Sequence, residues 1–393
     1  MVGGISGIVN RQQFRIAIIG GGIGGLTVAL ALKEFGFEAE VYEQAPVLLD
    51  VGAAIALWPN AMRVLERLGL GTMIREHAGE MREIRWLDQR GFLINRVSIS
   101  GAVALHRADL QSTLLHALPA EWIKLGHSLV AYDSRGDKVV ARFGNGEEIE
   151  ADLLIGADGI HSHVRRDVIG SDEPTYRGYT VWRGITSEAP HGVHPNTAIE
   201  VHGRGQRFGI GPVGNGRIGW WAAANAAEAA GSHERHVEDA QHELLRLFRD
   251  WFPPVVELIE TTLPQLILTT SAFDRQPART WGNKRVTLLG DAIHPTTPNL
   301  GQGGCLAIED AIVLARCFEK YGPTEAALRK YEGCRYSRTA AITKYSRYYG
   351  HIGQSENILV RGLKASALAL APETVLQRVM QIVFDYDATT TPI

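Results

Sequence analysis

The hydrophobic positions near the start of the chain change their spacing within a few residues. An unbroken apolar run over residues 14–19 ends in glycines, and apolar positions with helical spacing follow over 26–35. A second short apolar run covers 39–42. A continuous apolar run bounded by turn residues is typical of a strand that is buried on both faces. The pattern therefore predicts a β-α-β unit over residues 14–45.

Further along, strictly alternating positions replace the continuous runs. Alternation over 84–98, with a turn at 88–91, and over 128–149 predicts two hairpins, and a buried strand follows at 151–155. From residue 178 to 224 the chain is rich in glycine and tryptophan and alternates in short stretches, which predicts an antiparallel sheet with one face toward a ligand. The stretches and neighbouring elements are strands at 180–184, 198–202, 207–212, 217–224 and 266–273, and helices at 61–68 and 236–252.

The continuous apolar pattern returns at residues 286–289, which predicts another buried parallel strand. Helical periodicity then covers 305–319, 324–349 and roughly 357–384. The nucleotide-binding unit is therefore predicted to be discontinuous, because the chain leaves it for a sheet and then comes back. The predicted fold class is α/β, a Rossmann-like domain with an inserted antiparallel sheet and a C-terminal helical region.

The glycines after the first strand carry the first chemical signal. Gly20, Gly22 and Gly25 form a G-x-G-x-x-G pattern between a strand and a helix, where it binds a dinucleotide pyrophosphate at the helix N-terminus. Glu43 ends the second strand, about 20 residues later, where an acid accepts hydrogen bonds from a ribose hydroxyl and repels a 2′-phosphate. FAD and NAD both fit this pattern.

Composition removes several other classes of function. The 393 residues carry a formal net charge of −3 and no basic stripe, so no nucleic acid is expected as a partner. No run of 18 apolar residues occurs, so no membrane-spanning helix is expected. The three cysteines show no metal-ligand spacing, which predicts no metal site and fits a cytoplasmic protein. Residues 1–13 are predicted to be a disordered leader.

Three motifs in order resemble those of one enzyme family. They are the Gly20–Gly25 fingerprint, Asp158-Gly159 within DGIHSHVR, and Gly290-Asp291 within LLGDAIHP. Over residues 14–350 the chain resembles the single-component FAD-dependent aromatic hydroxylases, the family of salicylate hydroxylase and zeaxanthin epoxidase. The resemblance implies tightly bound FAD, transient NADH or NADPH, and O2. It also implies hydroxylation of a phenol-like aromatic or heteroaromatic molecule through a flavin C4a-hydroperoxide.

Two alternatives within this fold stay open: an epoxidase of a lipophilic substrate, and an FAD-dependent reductase that transfers no oxygen. The predicted domains are an FAD-binding domain in two parts, 14–175 and 276–350, a substrate-binding sheet over 176–275, and a C-terminal helical segment over 351–393. The protein is expected to be a monomer or a homodimer. The charge-poor stretch 358–371 packs on the FAD domain or across a dimer, or else covers the pocket or touches a membrane.

The resemblance also implies which residues hold the cofactor. Asp291 would bind a ribityl hydroxyl, Arg107 would contact phosphate or ribityl oxygens, and the glycine loop 298–304 would lie against the flavin ring. Asp158, Gly159 and Arg165 resemble a motif that serves the FAD pyrophosphate and the docking of the nicotinamide nucleotide. The predicted cofactor-binding residues are Gly20, Gly22, Gly24, Gly25, Glu43, Gln44, Ala54, Arg107, Asp158, Gly159, Arg165, Asp291, Pro298, Gly301, Gly303 and Gly304.

On the substrate side, three residues are predicted to be catalytic: Arg207, His202 and Tyr179. Arg207 would pair with a substrate carboxylate or oxyanion, or else be a surface arginine. His202 would be a general base, or merely hydrogen-bonded. The tryptophans of this region would line an aromatic pocket or fill the core. The family's urate hydroxylases carry an aspartate where this chain has Asn299, which argues against urate.

Overall fold

The computed structural model describes residues 14–48, 53–228 and 239–393. The predicted leader at 1–13, part of the loop before residue 53 and the start of the helix predicted at 236 lie outside these ranges. The strands are β1 (Ile16–Ile19), β2 (Ala39–Glu43), β3 (Ala54–Leu57), β4 (Gly79–Asp88), β5 (Leu93–His106), β6 (Ile123–Leu125), β7 (Leu129–Arg135), β8 (Lys138–Phe143), β9 (Glu148–Ala151), β10 (Leu153–Gly156), β11 (Thr175–Thr186), β12 (Thr197–His202), β13 (Gln206–Pro212), β14 (Ile218–Asn225), β15 (Leu268–Asp274), β16 (Gly282–Asn283) and β17 (Val286–Leu288).

Helices cover the sheets and form the end of the chain. They are α1 (Ile23–Glu34), α2 (Pro59–Arg67), α3 (Gly71–His77), α4 (Arg107–His116), α5 (His163–Ile169), α6 (Ala240–Phe248), α7 (Pro253–Thr261), α8 (Gly303–Tyr321), α9 (Glu325–Gly353), α10 (Ile358–Leu370) and α11 (Glu373–Phe384). Among the described residues no helix is both long and apolar enough to cross a bilayer.

A six-stranded sheet in the order β16-β17-β10-β1-β2-β6 builds the nucleotide-binding half. Its pairs are parallel except β16·β17. The predicted discontinuity is confirmed, because β1, β2 and β10 come from the first part of the chain and β17 returns from the last. Helices α1 and α8 pack against each other over this sheet. The carboxyl ends of β1 and β10 therefore meet at one edge, where ligands bind in sheets of this type.

The second sheet differs from the one expected. It has eight strands in the order β15-β11-β14-β13-β12-β4-β5-β3, so β3, β4 and β5 of residues 54–106 belong to it as well. The pair β12·β4 is parallel, and the sheet is therefore mixed rather than purely antiparallel. The edge of the β4–β5 hairpin supplies backbone partners that β12 would otherwise lack. The predicted bounds 176–275 thus include only part of the strands of this sheet.

The two faces of the large sheet have different neighbours. Trp182, Phe208 and Trp220 lie on one face, in a core cluster that also includes side chains of α6 and α7. Because side chains alternate along a strand, Arg207 and Trp221 lie on the other face. The open question about the tryptophans is thus answered for Trp182 and Trp220, which fill the core.

Prolines mark boundaries between helices at two places. The helix predicted over 236–252 is α6, and Pro253 begins α7 instead of only ending the helix before it. Proline suits a first helical position, since the backbone N–H that it lacks would be unpaired there. The stretch predicted as helical over 357–384 is divided at Pro372 into α10 and α11.

A buried ionic network joins the long helices to the turn after β17. Arg335 of α9 donates to Asp310 over 2.6 Å and to Glu309 over 2.6 Å, and all three side chains are fully buried. Asp310 also accepts from the backbone N–H of Gly290 over 3.0 Å and lies 2.5 Å from His294 Nε2. The network therefore fixes the segment that carries Asp291.

Replacing Gly25 with alanine is expected to prevent stable folding, whereas Gly362→Ala is expected to be neutral or stabilising. A Cβ on Gly25 would lie 1.9 Å from the carbonyl oxygen of Gly20, so α1 would have to move away from β1. A Cβ on Gly362 of α10 would meet nothing within 4 Å, and alanine favours a helix by about 1 kcal/mol over glycine. Thermal unfolding of both variants checks this, and equal melting temperatures would contradict it.

Candidate active site

The glycine turn after β1 leaves space where a dinucleotide would lie. Gly20 has φ +108°, and a Cβ there would lie 2.4 Å from the carbonyl oxygen of Ala157. In contrast, a Cβ on Gly22 would meet nothing within 4 Å. Gly22 is the N-cap of α1, whose first N–H groups have no side-chain cap. The turn thus combines a required glycine with an open approach to unpaired donors, which suits a pyrophosphate.

The acid at the end of β2 lies beside this turn. Glu43 accepts hydrogen bonds from the backbone N–H groups of Gly21, over 2.6 Å, and Ala45, over 2.9 Å. Glu43 and the glycine turn are thus neighbours in the fold, although they are distant in sequence, and the role of Glu43 as the ribose acceptor stays a prediction. The neighbouring Gln44 is exposed.

A second group of predicted residues meets around Asp291. A Cβ on Gly303 would lie 3.7 Å from Asp291 Oδ1, and one on Gly304 would lie 2.9 Å from the side chain of Ile55 in β3. Arg107 donates its backbone N–H to the carbonyl of Ala53, over 3.0 Å, next to the predicted Ala54. The loop 298–304, β3 and the start of α4 therefore surround one carboxylate.

Protein surrounds Asp291 on most sides, but the residue keeps an exposed surface that faces a cleft. Burial raises the pKa of Asp291, and the positive charges of His294 and Arg107 oppose that shift. Gly301, with φ +59°, turns the loop toward Trp58 and is itself exposed, as are Pro298 and Arg107. An acceptor, a cation and a glycine surface around one cleft are the groups that an FAD ribityl chain and flavin ring need, so these residues fit the cofactor.

Asp158 and Arg165, which are predicted to contact the nucleotides, form hydrogen bonds within the protein. Asp158 accepts from the N–H groups of His163, over 2.8 Å, and Val164, over 3.3 Å, and therefore caps α5. Burial raises the pKa of Asp158. Arg165 is only 1% exposed and donates to Asp172, over 2.8 Å, and to the carbonyl of Ile293, over 3.0 Å. Arg165 thus holds the segment beside Asp291 and does not reach a ligand surface.

On the large sheet, the face opposite the tryptophan core carries a buried cluster centred on Arg207. This residue is 1% exposed, so it is not a surface arginine. It donates to Gln354 over 2.9 Å, to Glu200 over 3.3 Å and to the amide oxygen of Asn299. Asn299 belongs to the predicted flavin loop, so the cluster lies directly beside the candidate cofactor site.

Aromatic rings enclose the guanidinium. The Arg207 Cζ lies 5.4 Å from the ring centroid of Trp221 and 5.7 Å from that of Tyr349. Asn299 donates its amide N–H to the Tyr179 hydroxyl over 2.9 Å while its oxygen accepts from Arg207. Asn299 also donates to the backbone carbonyl of Ser346 over 2.9 Å, a bond that an ionised aspartate could not make because a carboxylate has no donor. Arg207, Tyr179 and the loop are therefore joined through Asn299 in one hydrogen-bonded cluster.

His202 lies opposite Arg207 on the neighbouring strand and on the same face. Burial lowers the pKa of His202 to about 4, and Lys364 donates to its Nδ1 over 2.7 Å. Its Nε2 lies 3.6 Å from Glu200. That distance is too long for a hydrogen bond, and the buried Nε2 has no hydrogen-bond partner among the described residues, so the general-base role of His202 stays a prediction.

Four members of the cluster were not predicted: Glu200, Tyr349, Gln354 and Lys364. Glu200 precedes His202 by two positions in the same strand, so alternation could have placed it on that face. The other three come from α9, its end and α10. Their contacts with β12 and β13 join residues that are far apart in sequence, so no local sequence pattern predicts them.

Comparisons with known proteins identify the family. A family model described as an FAD binding domain matches residues 13–345. Aurachin C monooxygenase/isomerase of Stigmatella aurantiaca is 39% identical over 355 residues, covering 88% of this chain and 91% of that protein. 6-Hydroxynicotinate 3-monooxygenase of Pseudomonas fluorescens is 32% identical, covering 85% of this chain and 91% of that protein.

A solved structure extends the agreement to three dimensions. Klebsiella pneumoniae HpxO in complex with FAD and uric acid has a TM-score of 0.88 and 30% identity, covering 95% of this chain and 97% of that one. Together with the cleft around Asp291 and the discontinuous sheet, these matches show that the chain belongs to the FAD-binding-domain family and is an FAD-dependent monooxygenase.

Proposed function

We propose that this monooxygenase uses NADH or NADPH and O2 to hydroxylate a small phenol-like aromatic or heteroaromatic substrate beside Arg207. The observation that carries the proposal is a fully buried guanidinium that is hydrogen-bonded to the flavin loop through Asn299. A buried cation favours the ionised form of a phenol. Loss of the hydroxyl proton makes the aromatic ring richer in electrons. The relatives named for an aromatic substrate support the same class.

FAD, when bound, would supply the activation of O2 and the transfer of one oxygen atom. Glu43, Arg107, Asp291 and the loop 298–304 are the groups that would hold it. The chain's own contribution to the reaction is to orient the substrate and to exclude water. Arg207 would bind the substrate oxyanion, and Tyr179 and Asn299 would border the substrate on the side nearest the flavin loop.

The charges of the Arg207 cluster support substrate binding at Arg207. Burial would raise the pKa of Glu200, but its charged and hydrogen-bonding neighbours, among them Arg207 and Tyr349, outweigh this and lower the pKa, so Glu200 stays ionised. Glu200 also accepts from the Tyr349 hydroxyl over 2.8 Å. Its contact with Arg207, at 3.3 Å, is long for a charge-assisted bond. The guanidinium of Arg207 thus has no short bidentate bond to a carboxylate among the described residues. A substrate anion could therefore serve as its charged partner.

The test is to follow NADH or NADPH oxidation, oxygen uptake and peroxide together over a panel of phenols, hydroxybenzoates, quinolones and a carotenoid. A compound that accelerates cofactor oxidation while peroxide stays low identifies the substrate class. Coupled turnover of only the carotenoid would favour the epoxidase alternative. Consumption of the nicotinamide without oxygen, together with a reduced organic product, would replace the proposal with a reductase.

Replacing Asp291 with alanine is expected to weaken FAD retention at least tenfold. The variant removes the carboxylate that faces the cleft, and a hydrogen bond to a charged group contributes about 1.5–3 kcal/mol. Equilibrium dialysis against free FAD measures the loss. Asp250→Ala, in an exposed turn of the other half, is the matched control and should keep its flavin. A yellow, fully active Asp291→Ala enzyme would contradict the assignment.

A further inference from the structure

A groove runs along the C-terminal half of α9, between this helix and β11. Two adjoining cavities of about 440 and 500 Å³ form it, and both are lined by Arg177 and His351. These volumes are in the range of small-molecule sites. We define the α9 groove by five lining residues: Arg177, Lys344, Arg347, Tyr348 and His351. Neither the FAD cleft nor the Arg207 cluster includes these residues.

The α9 groove is strongly cationic. Arg177 and Arg347 share one fully buried partner, Asp274, so two positive charges are balanced by a single carboxylate. Lys344 is exposed and makes no ion pair with any residue in the described part of the chain. The described residues that line the two cavities include no acid. The groove therefore has an excess of positive charge although the whole chain is slightly acidic.

Aromatic surface accompanies this charge. Lys344, Tyr348 and His351 are spaced at i, i+4 and i+7, so they follow one face of α9. The Tyr348 ring is 66% exposed. An exposed ring beside a cation can stack on a flat heterocycle while the cation binds an attached phosphate. The groove thus offers both groups that a nucleotide needs.

The floor of the groove borders the Arg207 cluster. Tyr179 and Asn299 line the first cavity, and Gln354 lines the second. Asn299 and Gln354 both bond to Arg207. A ligand that lies in the groove is therefore separated from the substrate cluster by one layer of side chains.

A chain of buried contacts also joins the groove to the Asp158 motif. Arg165 pairs with Asp172, and Arg275 pairs with Asp172 over 3.0 Å. Arg347 donates to the carbonyl of Arg275 over 3.2 Å. The motif predicted to dock the nicotinamide nucleotide thus has its buried arginine connected to the groove, although Arg165 itself reaches no ligand surface.

We infer that the α9 groove docks the nicotinamide dinucleotide, with its pyrophosphate on Lys344 and Arg347 and one of its rings against Tyr348. This inference rests on the proposed use of NADH or NADPH. It assigns the binding of the dinucleotide to a surface separate from the FAD cleft, so that the nucleotide can bind and leave while FAD stays in place. The Asp158 motif then acts by positioning Arg275 and Arg347.

The test reverses one charge in the FAD-loaded enzyme. Lys344→Glu is expected to raise the KM for the nicotinamide nucleotide at least tenfold, with kcat, FAD content and the KM for the aromatic substrate within twofold of wild type. Tyr348→Ala is expected to raise the same KM about fivefold. Lys330→Glu is the matched control, since Lys330 is exposed on the same helix and outside the groove. It should leave every constant unchanged.

Direct binding separates this inference from the proposed function. Calorimetric titration of the oxidised holoenzyme with NAD⁺ and NADP⁺ should show binding that Lys344→Glu weakens at least tenfold and that added salt weakens more in wild type than in the variant. If wild type binds the nucleotide but oxidises no NADH or NADPH, the proposed function fails and the groove stands. If Lys344→Glu changes only the KM for the aromatic substrate, or changes nothing, the inference is overturned.

Discussion

Arg335→Met is expected to lower the free energy of unfolding by about 3–5 kcal/mol, the cost of breaking a buried ion pair from one side. The variant removes the cation that joins Glu309 to Asp310 in a fully buried site. Glu309 keeps only its longer contact with Arg338, at 3.2 Å, and Asp310 keeps His294, so the two carboxylates would lose their strongest shared partner. The turn at Gly290 would move with them, because Asp310 accepts from its N–H.

Urea unfolding at neutral pH measures the effect, and FAD content reports on the turn. Lys330→Met is a suitable control, since it removes a cation from an exposed position of the same helix. A loss below about 1 kcal/mol would mean that the two carboxylates share a proton at little cost. In that case the network would not be what holds Asp291 in place.

Arg207→Met is expected to lower kcat/KM for the aromatic substrate by at least 100-fold and to divert most of the consumed oxygen to peroxide. Methionine fills a similar volume without the charge, so the substrate oxyanion loses its partner and Glu200 keeps an unbalanced negative charge. A 100-fold change corresponds to about 2.7 kcal/mol. The flavin should still bind, because no predicted cofactor residue except the loop through Asn299 touches Arg207.

Steady-state kinetics with simultaneous peroxide detection checks this result. Arg204→Met is the control, because Arg204 lies in the turn between β12 and β13 with its side chain 70% exposed. Arg207→Lys adds a finer comparison, since it keeps the charge but cannot donate to Gln354 and Asn299 in the same fork. Unchanged coupling in Arg207→Met would show that the substrate lies elsewhere.

Much of the nucleotide-binding half could be predicted because its signals are local. Gly20, Gly22 and Gly25 lie within six residues of one another, and at Gly20 and Gly25 a Cβ would come within 2.4 and 1.9 Å of backbone oxygens. The alternation around Arg207 and Phe208 correctly assigned these two residues to opposite faces of the sheet, with Phe208 in the core. Such patterns need no knowledge of distant contacts, so a single sequence reveals them.

The remainder depends on pairings that no local pattern encodes. The sequence pattern of the hairpin β4–β5 indicates an insertion in the first domain. In the structure, however, β4 pairs with β12, more than a hundred residues later in the chain. Gln354 and Lys364 reach the Arg207 cluster only because α9 ends beside β13 and α10 turns back over β12. Arg165 was expected at a ligand, and only its burial shows that it acts through its neighbours.

The parallel pair β12·β4 limits how this enzyme can be recombined with its relatives. A chimera that exchanges residues 176–275 alone would place a foreign β12 against the native β4, and its register would have to match over six residue pairs. An exchange that also includes residues 54–106 keeps the whole eight-stranded sheet from one parent. An intact sheet is therefore inherited through two separated segments of the chain, and a single crossover between residues 54 and 274 divides it between two parents.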